Sequence, residues 1–405
     1  MATSTPKIGT DPIFGSLKMG SVPDFMLPNY SGGSLVNLVA SIVQARGGKP
    51  RHPVLDALPA AELSEAENIV LVIIDGLGDN YLARRGAGGE LARRKRTSIT
   101  SVFPSTTASA ITTSYTGCTP LEHGLTGWFT YFGAAGCVAA PLQFRSRGEN
   151  LPLQERGFSP ASAFPAPSVF EALPVRSIVV TSRQIVDSDY NVRHCAGATR
   201  LAYETLEEFV SQVEAAVKSG AQRKFIYAYW PHYDVISHRH GSESRQAAAE
   251  LEKFDRAFGS LIARLSATQS RIVATADHGF IDVAPEESLE LPAELAAMLR
   301  FPLCGERRVA YCYVHSPAQF MDRARQWLGN RADVRPSREL LREGWFGPGT
   351  PHPRIDERVG DVALVMRGHY TVKDWTPGEA RHLHIGNHGG TSEDEMMIPL
   401  ILEST

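Results

Sequence analysis

Cysteine is scarce in this sequence. Five occur in 405 residues (Cys118, Cys137, Cys195, Cys304 and Cys312), an odd number, scattered and without a C-x-x-C pair. That pattern excludes a disulfide framework and a cysteine zinc site. Long hydrophobic runs are also missing, since no stretch approaches the ~20 apolar residues that span a bilayer. The opening residues MATSTPKIGTDPIFG lack the basic-then-apolar pattern of a secretory signal. These absences lead to the expectation of a soluble cytoplasmic protein with no membrane partner. Charge of one sign is lacking as well: 41 Lys and Arg stand against 44 Asp and Glu, a formal net charge of −3. Nothing therefore draws a nucleic-acid polymer to the chain as a whole. Anionic partners must be met at a local site, and any metal must be held by His and carboxylates. There is no internal repeat and no low-complexity tract.

What is present is a large body of core-forming sequence, 43% hydrophobic against 21% charged. Residues 1–60 carry Gly, Pro and Ser punctuation around one apolar stretch whose Leu35, Leu38, Val39 and Ile42 suit a short amphipathic helix. We read this part as an N-terminal arm packed on a catalytic body over residues 61–405. The run NIVLVII at residues 68–74 is nearly continuous and β-branched, as in a parallel strand buried on both faces. Similar runs lie at residues 177–181, 224–229, 271–276, 308–315 and 361–366, with helical spacing over 202–218 and 244–265. Strands alternating with long helices predict an α/β fold with a mostly parallel sheet, and ligands then sit at the carboxyl ends of its strands. Residues 282–384 are less regular and predict an inserted cap or edge subdomain.

Four places join a strand end to hard or imidazole ligands. Asp75 follows the first strand, Asp234 and His238 follow YAYWPHY, Asp277 and His278 follow RIVATA, and His388 sits in GNHGG. Each alone is a common turn or surface residue. Asp234 and His238 are four apart, which on a helix places both on one face. In Asp277-His278-Gly279 adjacent ligands converge if the strand has ended and the glycine permits a tight turn. His232 and His240 read as surface or supporting residues. In SVFPSTTASAITT, Ser105, Thr106 and Thr107 stand where a helix begins. They offer either a choice of N-caps or a hydroxyl nucleophile beside exposed helix amides.

The ordered set NIVLVIIDGLG, VFPSTT, DVISH, TADHG and GNHGG resembles the alkaline phosphatase superfamily, in its type I phosphodiesterase and nucleotide pyrophosphatase branch. The resemblance runs from about residue 68 to the C-terminus. It implies a three-layer α/β sandwich, a mostly parallel central sheet flanked by helices, with a small cap. It implies two divalent metal ions: Asp234, His238 and His388 for one, and Asp75, Asp277 and His278, with the nucleophile, for the other. The nucleophile position of the family motif falls on Thr107, four residues after Phe103, with Ser105 and Thr106 as alternatives. The implied activity is phosphodiester or pyrophosphate hydrolysis of a small-molecule phosphate ester through a phosphothreonine intermediate. A mixed imidazole and carboxylate set suits Zn²⁺ and tolerates Mn²⁺ or Fe.

One departure bears on substrate. Where the branch carries an Asn about 21 residues after the nucleophile, the ungapped position here is Trp128. Thr126 or Thr130 then stands as a substitute contact to the phosphoryl oxygen. The aromatic cluster Trp128, Phe129, Tyr131 and Phe132 reads either as a stacking surface for substrate or as packing under the cap. Arg145 and Arg147 read either as a distal phosphate site or as a solvated basic loop. A phosphomonoesterase is a near alternative. A cofactor-independent phosphomutase shares the scaffold and a similar tail, but such mutases generally use Ser where Thr107 stands. A non-catalytic metal-binding protein would lose at least one of the seven positions, and none is lost.

Overall fold

The computed structural model describes residues 25–379 and 381–405. The sequence reading of an arm over 1–60 lies outside the described residues for 1–24. Seven strands build the central sheet: β1 (Asn68–Ile74), β2 (Lys95–Thr100), β3 (Arg176–Ser182), β4 (Ala198–Tyr203), β5 (Lys224–Trp230), β6 (Ser270–Thr275) and β7 (Met397–Ser404). Their order is β2-β7-β6-β1-β5-β3-β4. Only β7 runs against its neighbours; β1 pairs in parallel with both β5 and β6. With strands on both edges and covered faces, every residue of β1 is buried, which is why its sequence is an unbroken apolar run. The expected α/β class with a mostly parallel sheet is the fold observed.

The helices follow their apolar spacing. In α5 (Arg245–Arg264), Ala247, Leu251, Phe254, Phe258 and Leu261 are buried, the recurring three and four spacing of one face. Helix α3 (Leu206–Lys218) begins later than its sequence spacing predicts, because Thr205 caps it by accepting from the Glu208 amide at 3.2 Å. The residues before that cap form β4, an edge strand whose half-buried pattern carries no clear alternation. Helix α1 (Leu35–Ala45) is buried nearly all round, not on one face alone, and it packs against α2 (Thr107–Thr116). Just before it, the Tyr30 hydroxyl accepts from the Phe103 amide at 3.1 Å, so this part of the chain supports the segment leading into α2.

Two of the apolar runs, both within the segment 282–384 read as an inserted cap or edge subdomain, lie outside the parallel sheet. Val309–Cys312 and Val362–Met366 pair antiparallel in a separate four-stranded sheet with Cys304–Gly305 and Ala332–Pro336. A short apolar run shows burial, not strand direction, so the sequence did not separate them. This sheet has its own core: Phe320, Ala324 and Leu328 of the helix Pro317–Leu328 pack with Leu364 and Val334. The excursion leaves after Ile281–Asp282 and returns at Gly386–Asn387, and these two short strands pair with each other. Among the described residues no helix is long and apolar enough to cross a membrane.

Candidate metal centre

The register of the central sheet assembles the site. Ile73 lies beside Tyr229 of β5 and Thr275 of β6, so all three strands end together. Asp75 follows β1; Asp277 and His278 follow β6. Helix α4 (His232–His240), which begins just beyond β5, presents Asp234 and His238 on one face. His388 arrives from the returning strand Gly386–Asn387.

Asp234 Oδ1, His238 Nε2 and His388 Nε2 form one triangle, with separations of 3.3 Å, 3.1 Å and 3.7 Å. His238 Nδ1 lies 2.9 Å from the Gly386 carbonyl oxygen, to which it donates; this leaves Nε2 with its lone pair free for the cluster. His278 Nε2 centres a second group, 3.3 Å from Asp75 Oδ1, 3.5 Å from Asp277 Oδ2 and 3.1 Å from Thr107 Oγ1. The His278 and His388 rings stack at 3.7 Å, so the groups adjoin. All seven residues singled out in the sequence therefore converge.

Oxygens in the cluster lack donors. Asp75 Oδ1, Asp234 Oδ1 and Asp277 Oδ2 are buried and meet no hydrogen-bond partner. Among the described residues no Lys or Arg pairs with them; only imidazole nitrogens lie close. Burial, reinforced by mutual repulsion, pushes the Asp277 carboxyl up to about 8 and raises Asp234 well above its usual range. Burial also raises Asp75, to about 6. Desolvation lowers His238 to about 4 and also holds His388 well below its usual value. Buried carboxyl oxygens without donors, facing neutral imidazoles, are a donor set that a divalent cation completes, so the residues fit a metal pair.

A carboxyl that ionises less readily folded than unfolded favours the folded state while protonated. Its contribution is full below about pH 4 and is lost as pH rises through the folded value. Protein stripped of divalent cations is therefore expected to lose thermal stability between pH 6 and pH 8 through Asp277, whereas the Asp75 loss falls between about pH 4 and pH 6, where the neutral His238 opposes it. Restoring the cations should flatten that slope. A pH-independent melting midpoint in the stripped protein would contradict the charge assignment.

The three hydroxyls before α2 part company. Thr106 is the N-cap residue, and its hydroxyl donates to Glu306 Oε1 at 2.6 Å. Ser105 donates to the Gly390 carbonyl at 2.8 Å. Only Thr107 turns its hydroxyl to the cluster. Gly279, read as permitting a tight turn, does not have a positive φ. It is required because a Cβ there would lie 2.0 Å from the Asp394 carbonyl oxygen. His232 stacks on Trp230 and, like His240, lies outside the cavity lining.

A cavity of about 400 Å³ opens over Thr107, Asp234, His238 and His388. Trp128 and Phe129 line it, whereas Tyr131 stacks on Phe301 at 4.3 Å and Phe132 packs against Phe158. The aromatic cluster thus divides between site and core. Thr126 is buried and bonded to the Arg358 carbonyl at 2.9 Å, and Thr130 is buried near the Gly127 carbonyl. Neither lines the cavity, which corrects the expectation that one replaces the Asn contact. Among the lining residues that escaped the sequence reading are Glu306, Arg307 and Lys373. Glu306 accepts from the Trp128 amide at 2.6 Å as well as from Thr106, and burial lifts its carboxyl to about 7. These residues come from the inserted segment, and no local pattern marks a residue that reaches a site only through tertiary packing.

A model of the type I phosphodiesterase and nucleotide pyrophosphatase family matches residues 69–391. Among solved structures, the murine ectonucleotide pyrophosphatase/phosphodiesterase 5 is 16% identical over 82% of this chain and 87% of its own, with a TM-score of 0.62. An inactive threonine-to-alanine variant of that murine protein in complex with AMP is 15% identical, over 82% and 87%, at 0.61. Phosphonoacetate hydrolase from Sinorhizobium meliloti 1021, in complex with phosphonoformate, is 18% identical over 84% and 90%, at 0.61. At these identities the likeness is one of fold. No curated protein matches the sequence.

Proposed function

Since the chain belongs to the type I phosphodiesterase and nucleotide pyrophosphatase family, hydrolases of phosphoester bonds, we propose that it is a two-metal phosphodiesterase with Thr107 as nucleophile. The observation that carries this reading is Thr107 Oγ1, at the first position of α2 and 3.1 Å from His278 Nε2, where the two triads meet. Asp234, His238 and His388 would hold one divalent cation; Asp75, Asp277 and His278, with Thr107, would hold the other. Zinc suits this donor set, and manganese or iron is compatible with it. When bound, the cations offset the carboxylates, favour ionisation of the threonine hydroxyl and stabilise charge building on the phosphoryl oxygens.

The chain's own groups supply position and direction. The first-turn amides of α2, which have no partner within the helix, face the phosphoryl oxygens along with the positive end of the dipole. Thr107 loses its proton to solvent and attacks phosphorus. The Thr107 oxygen–phosphorus bond forms as the ester oxygen departs with its electron pair and takes a proton from water. Water then cleaves the phosphothreonine, releasing the phosphorylated product and restoring the hydroxyl. Trp128 and Phe129 bound the space for the organic part of the substrate. The AMP and phosphonoformate complexes of the structural relatives support a small phosphorylated substrate.

A metal-reconstituted panel of aryl phosphodiester, aryl phosphomonoester, aryl phosphonate monoester and dinucleotide tests the reading. The diester is expected to be turned over fastest, and an inert diester beside a reactive monoester would reverse the preference. Asp277→Asn is expected to remove about one metal equivalent by elemental analysis. Unchanged stoichiometry would sink the ligand assignment.

A further inference from the structure

Three cationic side chains line the cavity, and they differ in what they face. Arg147 is committed: its Nε meets Glu379 Oε1 at 2.8 Å, its Nη2 meets Asp374 Oδ1 at 2.8 Å and its Nη1 donates to the Leu303 carbonyl at 2.7 Å. Arg145 bonds to Asn150 and lies outside the cavity. Neither arginine of that loop is therefore free for a distal phosphate. Arg307 and Lys373 are placed otherwise. Arg307 Nη2 donates to the His382 carbonyl at 3.4 Å, its Nη1 is buried without a hydrogen-bond partner, and neither Arg307 nor Lys373 pairs with a carboxylate among the described residues. The neighbouring carboxylates are engaged, Asp374 and Glu379 by Arg147, and Glu306 by Thr106 and Trp128.

The two cations belong to one place. The Val372 amide donates to the Arg307 carbonyl at 2.8 Å, which sets Arg307 beside the backbone that carries Lys373. Lys373 Nζ lies 4.1 Å from the centre of the Trp375 ring, a weak partner for a full charge. Desolvation, with Arg307 adding repulsion, pulls the Lys373 amine down to about 8. Holding two half-buried cations side by side costs stability when the neighbouring carboxylates are bonded to other donors, and an anion entering the cavity would offset that cost.

We propose that Arg307 and Lys373 form a subsite for a second anionic group on the substrate, a carboxylate or a further phosphate, carried on the organic part away from the reacting phosphorus. This rests on the reading of the metal clusters as the phosphoryl site. The substrate class becomes an organic phosphate with two separated negative groups. Thr107 and the clusters receive one of them, and the two cations from the inserted segment receive the other. Specificity then comes from that segment and the reaction from the sheet.

Calorimetric binding of three alkylphosphonates of equal chain length, ending in a methyl, a carboxylate or a phosphonate, to the metal-loaded protein tests the subsite. An anionic tail is expected to tighten binding by about tenfold or more, the worth of one charge-assisted hydrogen bond. Arg307→Gln, Lys373→Gln and the double variant should progressively bring the three ligands to within about twofold of one another. Arg145→Gln, which removes a cation outside the cavity, should keep the preference. Lys373→Gln alone serves if the double variant fails to fold. A preference for one anionic tail identifies the anion. Equal binding of all tails by the native chain, or a preference that survives both substitutions, overturns the subsite. Failure of the methyl-ended phosphonate to bind while the tail preference holds counts instead against the phosphoryl site.

Discussion

Thr107→Ala is expected to lower turnover of an aryl phosphodiester by about three orders of magnitude or more, with folding and bound metal retained. Removal of the proposed covalent nucleophile leaves only the rate that positioning and charge provide. The structural cost is small because the Thr107 hydroxyl does not cap α2: Thr106 is the N-cap residue. Alanine is also well tolerated in a first helical turn. Ser105→Ala and Thr106→Ala separate the effects. Their hydroxyls serve the Gly390 carbonyl and Glu306, so their substitution should act through loop position and cost far less activity. Single-turnover trapping of phosphate on the protein is the direct check, with label expected in native protein and none in the alanine variant. Most activity surviving in Thr107→Ala would place the nucleophile elsewhere.

The second large effect is one of stability, and it lies behind the site. Arg308 and Glu395 are 1% and 0% exposed and pair through two bonds of 3.0 Å each. Glu395 also accepts from the Gly390 amide at 2.8 Å, and its carbonyl accepts from the Gly279 amide at 2.9 Å. One residue thereby ties the loop bearing His388 to the loop bearing His278. Arg308→Leu would leave a buried carboxylate without its cation, a loss of about 3–5 kcal/mol. We expect a thermal midpoint lower by several degrees and weaker metal retention during dialysis. Glu395→Gln keeps the shape and loses the charge, so it should strand Arg308 instead and destabilise by a similar amount. A midpoint unchanged in both variants would mean that the pair contributes nothing beyond shape.

Much of the site was legible because its residues sit at strand ends, where sequence order and spatial order agree. Asp75 follows an apolar run that can only be a buried strand. Asp234 and His238 share a helix face by their spacing. His388 and Thr107 were harder, since neither follows a parallel strand; the residues marked them as candidates, motif resemblance chose Thr107 over Ser105 and Thr106, and the fold places both at the centre by a returning strand and a helix start. Thr126 and Thr130 show where local reading fails. Both are near Trp128 in sequence, yet each hydroxyl turns into the protein to satisfy a backbone carbonyl. The aromatic cluster was undecided for the same reason: Trp128 and Phe129 line the cavity while Tyr131 and Phe132 pack on Phe301 and Phe158, partners distant in sequence.

The strands at residues 309–312 and 362–366 mark a further limit. Apolar runs identify burial, but sheet membership and direction depend on which distant partner offers free backbone groups. The sequence by itself determined the fold class, the ends of the central strands and the carboxyl and imidazole side chains gathered there, because burial pattern and local spacing are properties of neighbouring residues. Only the tertiary structure decided that the inserted segment forms its own antiparallel sheet. It also decided that Arg147 is consumed by Asp374 and Glu379, and that Arg307 and Lys373 face the cavity. Those outcomes rest on pairings between residues up to 232 positions apart, where electrostatic and hydrogen-bond partners are chosen by packing and not by neighbours along the chain.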